Sequence, residues 1–433
     1  MRGISLRQYG FMMRLLSPLL RAFVYIRYLR GKEEAGRLSE RFGSGYRQSR
    51  PDGRVIWIHA VSVGEAVAAR LLAKQIRAQK KDCTILITTN THSSAQQLAR
   101  LASTDNSYIH AYQPLDVKGW VQNFLSYWQP DMAIFVESDF WPHLVCCTRD
   151  RGVDIYFASS QLSASAFARW RDQPMLAHTL FSAPKQIFCI DAEQKTQFEA
   201  LASGFGNAEH TTRISLSNTL KLPPQQLETD LALTAGLAEA SSGRMVILAS
   251  STHEGEEVLI HSACKTLLDE KKALLIIAPR HPERGRQISA TFGQPPCRSK
   301  QQMPAAGDDI FICDSMGEMD SLYAVSDVII LGASFVDRGG HNPLEAARAS
   351  VPILTGRFND KNRAEIEALS ATDMLTQLDD MAALTQALEH LHKCFETHTA
   401  VLTDTALKAA KTALDARYLE AEKIASKMLK SLT

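Results

Sequence analysis

In this 433-residue chain the residue most suited to proton transfer is Glu65, in the segment Ser62-Val63-Gly64-Glu65. The glycine permits a tight turn, and a carboxylate at the start of the following helix is favoured as the ion by the helix dipole. Exposed by its loop, such a group can act as general base towards an alcohol nucleophile. Plain capping of the helix competes with this account; it explains the glutamate but not the Val-Gly turn before it. No second carboxylate stands beside it as a nucleophile, so a double displacement lacks support. Arg280-His281-Pro282 offers a guanidinium able to grip a phosphate with two parallel bonds. Met316-Gly317-Glu318 and the stretch from Gly332 to Asn342 each lead into a helix, where backbone amides can hold a phosphate or a pyrimidine edge. Glu345, one turn into its helix, suits a pair of ribose hydroxyls, and Ser250 opens the polar run Ser250-Ser251-Thr252-His253. Together these residues point to a nucleotide-bearing donor. Glu137 directly follows an apolar stretch and is a further candidate acid, whereas Trp141-Pro142 reads as the first turn of a packed helix.

Residues of this kind cluster just beyond strand ends in open parallel sheets, and the chain has the alternation such sheets need. Strands are expected at Val55–His59, Thr84–Thr88, Tyr108–Tyr112, Met132–Val136, Asp154–Ala158 and Gln186–Ile190, with helices at Glu65–Gln79, Ser94–Leu101, Val117–Trp128 and Trp141–Arg151. After a proline-containing link from Lys221 to Gln226 a second series begins. Its strands are expected at Met245–Ala249, Ala273–Ala278, Asp309–Cys313, Val328–Leu331 and Pro352–Leu354, with helices at Glu254–Glu270, Arg284–Thr291, Asn342–Ala349 and Lys361–Ala368. The reading is therefore two doubly wound domains, 33–220 and 221–400, with an N-terminal segment 1–32 and a C-terminal helical segment 401–433. There is no G-x-G-x-x-G fingerprint, Walker loop, H-E-x-x-H or Asp-x-Asp run, so hydride transfer and ATP hydrolysis lose their main supports and no metal is indicated.

Lysine and arginine total 48 against 47 acids, a net charge of +1, which disfavours nucleic-acid binding through bulk positive charge. Eight cysteines at irregular spacings, without a C-x-x-C, suit buried thiols in a reducing cytoplasm better than disulfides or a zinc site. The balance is uneven at the start. Residues 1–32 hold six arginines and Lys32 and no acid, interleaved with Phe11, Leu15, Leu16, Leu19, Leu20, Phe23 and Ile26. Arg7, Arg14 and Arg21 fall near one line of a helix, leaving a broad apolar face, and interrupt any membrane-spanning window. The expectation is an amphipathic helix lying on an anionic membrane surface rather than a cleaved signal; packing on the protein's own body is the alternative.

Taken with Glu40-Arg41-Phe42-Gly43, Val136-Glu137-Ser138-Asp139-Phe140-Trp141-Pro142, Ser251-Thr252-His253-Glu254-Gly255-Glu256-Glu257, Pro279-Arg280-His281-Pro282-Glu283-Arg284 and Gly339-Gly340-His341-Asn342-Pro343-Leu344-Glu345, these features resemble the 3-deoxy-D-manno-octulosonic acid (Kdo) transferases of lipopolysaccharide synthesis. The resemblance implies a glycosyltransferase B fold, in which two Rossmann-like domains face a cleft. It implies CMP-Kdo as donor in the second domain and a lipid A precursor (lipid IVA) as acceptor in the first, at the cytoplasmic face of the inner membrane. It further implies direct displacement with inversion, without metal or cofactor. Carried over by position, Glu65 is the general base, Arg280 holds the CMP phosphate, Gly317 lines the cytidine pocket, and Asn342 and Glu345 contact the nucleotide. Ser250, His281, Met316 and Glu318 join the donor set, while Glu137 and Lys221 are placed with the acceptor or as supports. The chain departs from the family's usual Asn-Ala-Arg-Leu-Ser-Glu-Arg-Ser, reading Ser159-Ser160-Gln161-Leu162-Ser163-Ala164-Ser165-Ala166, and Asp139 and Ala66 replace Glu and Thr. Lys221 or Arg169 would have to stand in for the missing arginines. A diverged relative that keeps the nucleotide pocket but acts on another acceptor, or only binds, is the alternative.

Overall fold

The structure is a computed structural model that describes residues 3–61, 63–91, 94, 95, 98, 105–204, 211–217, 220 and 226–432. Ser62, Lys221 and most of the expected helix 94–101 lie outside the described residues. The chain forms two compact units, Met1–Leu222 with Arg417–Thr433, and Pro223–Ala416. The last residues, Arg417–Thr433, group with the first unit. One helix, Asp404–Leu429, begins with the second unit and ends with the first.

In the first unit β1 (Arg54–His59), β2 (Cys83–Thr89), β3 (Tyr108–Tyr112), β4 (Met132–Val136), β5 (Asp154–Ser160), β6 (Gln186–Cys189) and β7 (Arg213–Leu216) form one sheet in the order β3-β2-β1-β4-β5-β6-β7. All its pairs are parallel, with Trp57 opposite Leu86 and Ala133 in the central register. Both faces are covered, which is why β1 and β4 read as unbroken apolar runs. Successive residues serve opposite layers: Val55 and Trp57 join Phe124, Phe135 and Phe157 on one side, and Ile56 and Ile58 join Leu72 and Ile85 on the other. That second layer is completed by Ala421, Ile424, Ala425 and Met428 from the last helix.

The second unit repeats the plan. β8 (Met245–Thr252), β9 (Ala273–Pro279), β10 (Ile310–Ile312), β11 (Val328–Leu331), β12 (Ile353–Thr355) and β13 (Leu375–Gln377) lie in the order β10-β9-β8-β11-β12-β13, again all parallel. In both units the first strand stands between the second and the fourth, so the winding reverses beside it and opens a crevice at the carboxyl ends. Strands β7 and β13 are additions to the sequence expectation. Each is a short edge strand, β7 with half or fully exposed side chains and β13 with Leu375 alone buried, so neither carries an apolar run for a pattern to detect.

The N-terminal helix, Leu6–Leu29, is capped by Ser5, whose hydroxyl accepts the Gln8 N–H. One side docks on the first unit: Tyr9 and Val24 are buried, and the Tyr9 hydroxyl donates to Asp116 Oδ2 at 2.8 Å. Arg21 lies 4.6 Å above the Phe42 ring, and Arg27 pairs with Glu33 at 2.7 Å. Away from those contacts Phe11, Leu15, Leu19 and Phe23 stay exposed, Leu15 at 64% and Leu19 at 67%. Among the described residues no helix is long and apolar enough to cross a membrane.

Candidate active site

Backbone strain marks the carboxyl edges of both sheets. Glu137 after β4, Ser159 in β5, Ser251 in β8 and Ala333 after β11 all have positive φ, a conformation that non-glycine residues seldom hold without support from their surroundings. Gly332, between β11 and Ala333, is fixed by space: a Cβ there would lie 2.6 Å from the Ser251 carbonyl oxygen. The loops at the reversal points thus hold unusual backbone conformations and close backbone packing.

At the first of them Glu65 sits in the opening turn of the helix Val63–Gln79, buried, with its Oε2 accepting the Val61 N–H at 2.5 Å. The carboxylate thus holds the β1 loop. Glu137 directly follows β4; its φ is 62°, its N–H donates to the Ala158 carbonyl, and its Oε2 accepts from Gln161 Nε2 at 3.1 Å. Gln161 is one of the residues that break the family pattern, and it here supplies a neutral partner to Glu137. His59, at the end of β1, was not singled out from sequence. Its Nε2 is 3.0 Å from Asp139 Oδ2 and its Nδ1 is 2.9 Å from Thr88 Oγ1, so it links the ends of β1, β2 and β4. The only signal was a polar residue closing an apolar strand. Trp141 donates its indole N–H to the same Asp139 oxygen at 2.9 Å and remains 38% exposed, so it is held at the surface rather than packed away.

At the second reversal point three loops deliver imidazoles to one place. His253, after β8, stacks on His341 with ring centres 5.3 Å apart and meets His281 edge-on at 5.8 Å. Burial lowers the His253 pKa, and the positive charges of His281, Arg338, Arg280 and Arg284 lower it further. The Arg280 and Arg338 guanidinium groups thus set a positive potential around His253. Arg280 and His281 are exposed at the end of β9, and the Arg280 N–H donates to the Thr252 carbonyl at 3.0 Å. Arg284 is committed elsewhere, to both oxygens of Glu257.

Other expected donor contacts prove to be partly structural. Ser250 is buried with its hydroxyl 3.0 Å from that of Tyr323. Asn342 Oδ1 accepts the Leu344 N–H at 3.0 Å, at the start of the short helix Leu344–Ala347 that bears Glu345. Glu345 itself and Met316 are exposed. Gly317 has φ 85° with open space around it, so it is required by its turn rather than by a neighbour. Burial pulls the Glu318 carboxyl up, but bonds from Arg298 and Ser315 outweigh this and hold it below the ordinary range. The amides opening the Gly332–Asn342 stretch are occupied by a protein carboxylate: Ala333, Ser334 and Phe335 donate to Glu256 at 2.7, 3.0 and 3.0 Å. They hold the loop and are not open to a phosphate. Among the described residues no group of three or more His, Cys, Asp or Glu is placed to hold a metal ion.

Residues 36–216 match the family described as 3-deoxy-D-manno-octulosonic-acid transferase (kdotransferase). Over 397 residues the chain is 30% identical to the 3-deoxy-D-manno-octulosonic acid transferase of Rickettsia bellii, covering 89% of this chain and 90% of that one. The chain belongs to the Kdo transferase family. It is also 27% identical to the Kdo transferase of Haemophilus influenzae, over 88% of this chain and 90% of that one. Among solved structures it is similar to a glycosyltransferase from Rickettsia africae, with a TM-score of 0.59 at 12% identity over 88% of this chain and 100% of that one. A putative UDP-N-acetylglucosamine 2-epimerase from Listeria monocytogenes gives a TM-score of 0.58 at 12% identity, over 88% and 97%. These two share the fold, a pair of parallel-sheet α/β units of the glycosyltransferase B type. As a Kdo transferase the chain is a glycosyltransferase.

Proposed function

We propose that the chain transfers Kdo from CMP-Kdo to a lipid A precursor, lipid IVA, by direct displacement with inversion. Glu65 takes the proton of the acceptor hydroxyl as its oxygen bonds to the anomeric carbon of Kdo. The bond from that carbon to the CMP phosphate breaks, and the phosphate leaves with the electron pair. Arg280 meets the charge that develops on it, and the imidazoles around His253 supply N–H donors, where preorganised groups count most. Neither step uses a metal or a cofactor. Glu137 and Lys221 are assigned to the acceptor side or to its support. The observation that carries the donor assignment is the meeting of His253, His281 and His341 beside the Arg280 guanidinium at the reversal point of the second sheet.

The test is a transfer assay with purified protein, CMP-Kdo and a tetraacylated lipid A precursor, read by mass spectrometry of the lipid. A glycosylated lipid is expected. No product alongside retained CMP binding would overturn the transferase reading. It would turn attention to the segment Ser159–Ala166, where the helix Ala164–Arg171 is capped by Ser163 and offers none of the charges usual in the family before Arg169.

We place this chemistry at the cytoplasmic face of the inner membrane, with the helix Leu6–Leu29 lying on it. What supports this is the exposed stripe Phe11, Leu15, Leu19 and Phe23 beside Arg7 and Arg14. Full burial of each such side chain is worth about 1.5–3 kcal/mol. Replacing Phe11, Leu15 and Leu19 with serine should lower binding to anionic vesicles at least ~100-fold in a flotation assay. Because these side chains are exposed, the thermal midpoint should hardly move; undiminished flotation would defeat the placement.

A further inference from the structure

A cavity of about 690 Å³ lies at the opposite edge of the first sheet from Glu65. Its wall includes Lys185 and Gln186 where β6 begins, Arg213 where β7 begins, Tyr156 near the start of β5, and Lys427 and Lys430 at the end of the chain. Four cations and no acid line it. Asp154 pairs with Lys185 at 2.6 Å from outside the cavity. Lys185 and Arg213 are held side by side by the sheet, since the Arg213 N–H donates to the Lys185 carbonyl at 3.0 Å. The volume falls within the roughly 300–1,000 Å³ of small-molecule sites.

A lysine in the last turn of a helix is often explained by the helix dipole, and that suffices for Lys427. It does not explain why two loops from the amino edge of the sheet bring Lys185 and Arg213 to the same hollow. Like charges gathered in a concavity repel, and an anion removes that cost. We propose that this cavity is a second anion site, which takes a phosphoryl group and by doing so ties the end of the last helix to β6 and β7. The strands of this sheet run four to seven residues, and β6 and β7 lie three and four strands across from β1, so at about 3.3 Å per residue and about 4.8 Å per strand the site stands more than roughly 15 Å from Glu65. It is independent of the donor pocket, which lies in the other unit, and does not rest on the transferase reading.

The probe is sodium pyrophosphate, titrated calorimetrically into the full chain with the donor pocket first saturated with CMP. Saturable binding is expected, weakening as salt is raised. The pair Arg213→Gln and Lys427→Gln should weaken it at least tenfold, and the charge-preserving Arg213→Lys should restore most of the loss. Arg280→Ala should leave the event in place. A second arm uses vesicles containing phosphatidic acid, in the Phe11→Ser, Leu15→Ser, Leu19→Ser background that removes the helix's contribution. Binding of pyrophosphate identifies a soluble phosphate as sufficient. Vesicle binding alone, lost with the glutamine pair, assigns the phosphoryl group to a lipid headgroup. If neither probe binds, or binding ignores the glutamine pair, the proposal fails.

Discussion

Replacing Glu65 with glutamine should lower the turnover of Kdo transfer by about 10²–10⁴-fold, the usual worth of a positioned general base, while CMP affinity changes less than twofold. The glutamine variant is the sharper test because Glu65 has two separable duties. Its Oε2 accepts the Val61 N–H and so fixes the loop after β1; a glutamine oxygen can do the same. What an amide cannot do is take a proton from the acceptor hydroxyl. A loss of about 3–5 kcal/mol in the barrier with KM for the donor preserved would therefore isolate proton transfer. Alanine removes both duties, so Glu65→Ala should cost at least as much turnover and some thermal stability as well. If Glu65→Gln retained more than a tenth of the turnover, the residue would be a loop anchor and the base would have to be sought among Glu137 and the His59–Asp139 pair.

How much of this was readable beforehand divides along physical lines. β1, with Val55 to Ile58 buried on both faces, had to be an unbroken apolar run, and the run named the strand. From a parallel sheet it follows that chemistry gathers beyond carboxyl ends, so Glu65, Glu137, Arg280 and His281 could be picked by position alone. Edge strands such as Leu375–Gln377 have one neighbour and a wet face, so no pattern is imposed on them. Pairings across the sheet were invisible for a different reason. His59 finds Asp139 eighty residues away, and Arg213 shares a cavity with Lys427 only because the last helix ends in the first unit. Periodicity reports which face a residue occupies and says nothing about which distant residue shares it. The start of the Gly332–Asn342 stretch shows the same limit: the sequence could not reveal that the amides of Ala333, Ser334 and Phe335 serve Glu256.

That internal anion makes the largest stability prediction. Glu256 is 0% exposed and its carboxylate accepts four backbone N–H bonds, from His253 at 2.8 Å and from Ala333, Ser334 and Phe335. It starts the helix Glu256–Asp269, so the dipole of that helix adds to the amides in holding the charge. One side chain thereby locks together the loops after β8 and β11, the two strands that flank the reversal point. Glu256→Ala leaves several buried donors without acceptors and should destabilise the second unit by about 3–5 kcal/mol, lowering its thermal midpoint by roughly 10 °C. Glutamine separates charge from shape. Its nitrogen must face N–H groups that donate, whichever way the amide is turned, so the nearly isosteric Glu256→Gln should lose most of what alanine loses. Because His253 and Ser334 are held by the same carboxylate, CMP affinity should fall at least tenfold in Glu256→Gln, measured well below the new midpoint. A glutamine variant with wild-type stability would mean that the four bonds are matched in the unfolded chain by water and contribute little. Intact stability with weakened CMP binding would instead show that Glu256 serves the donor pocket without holding up the fold.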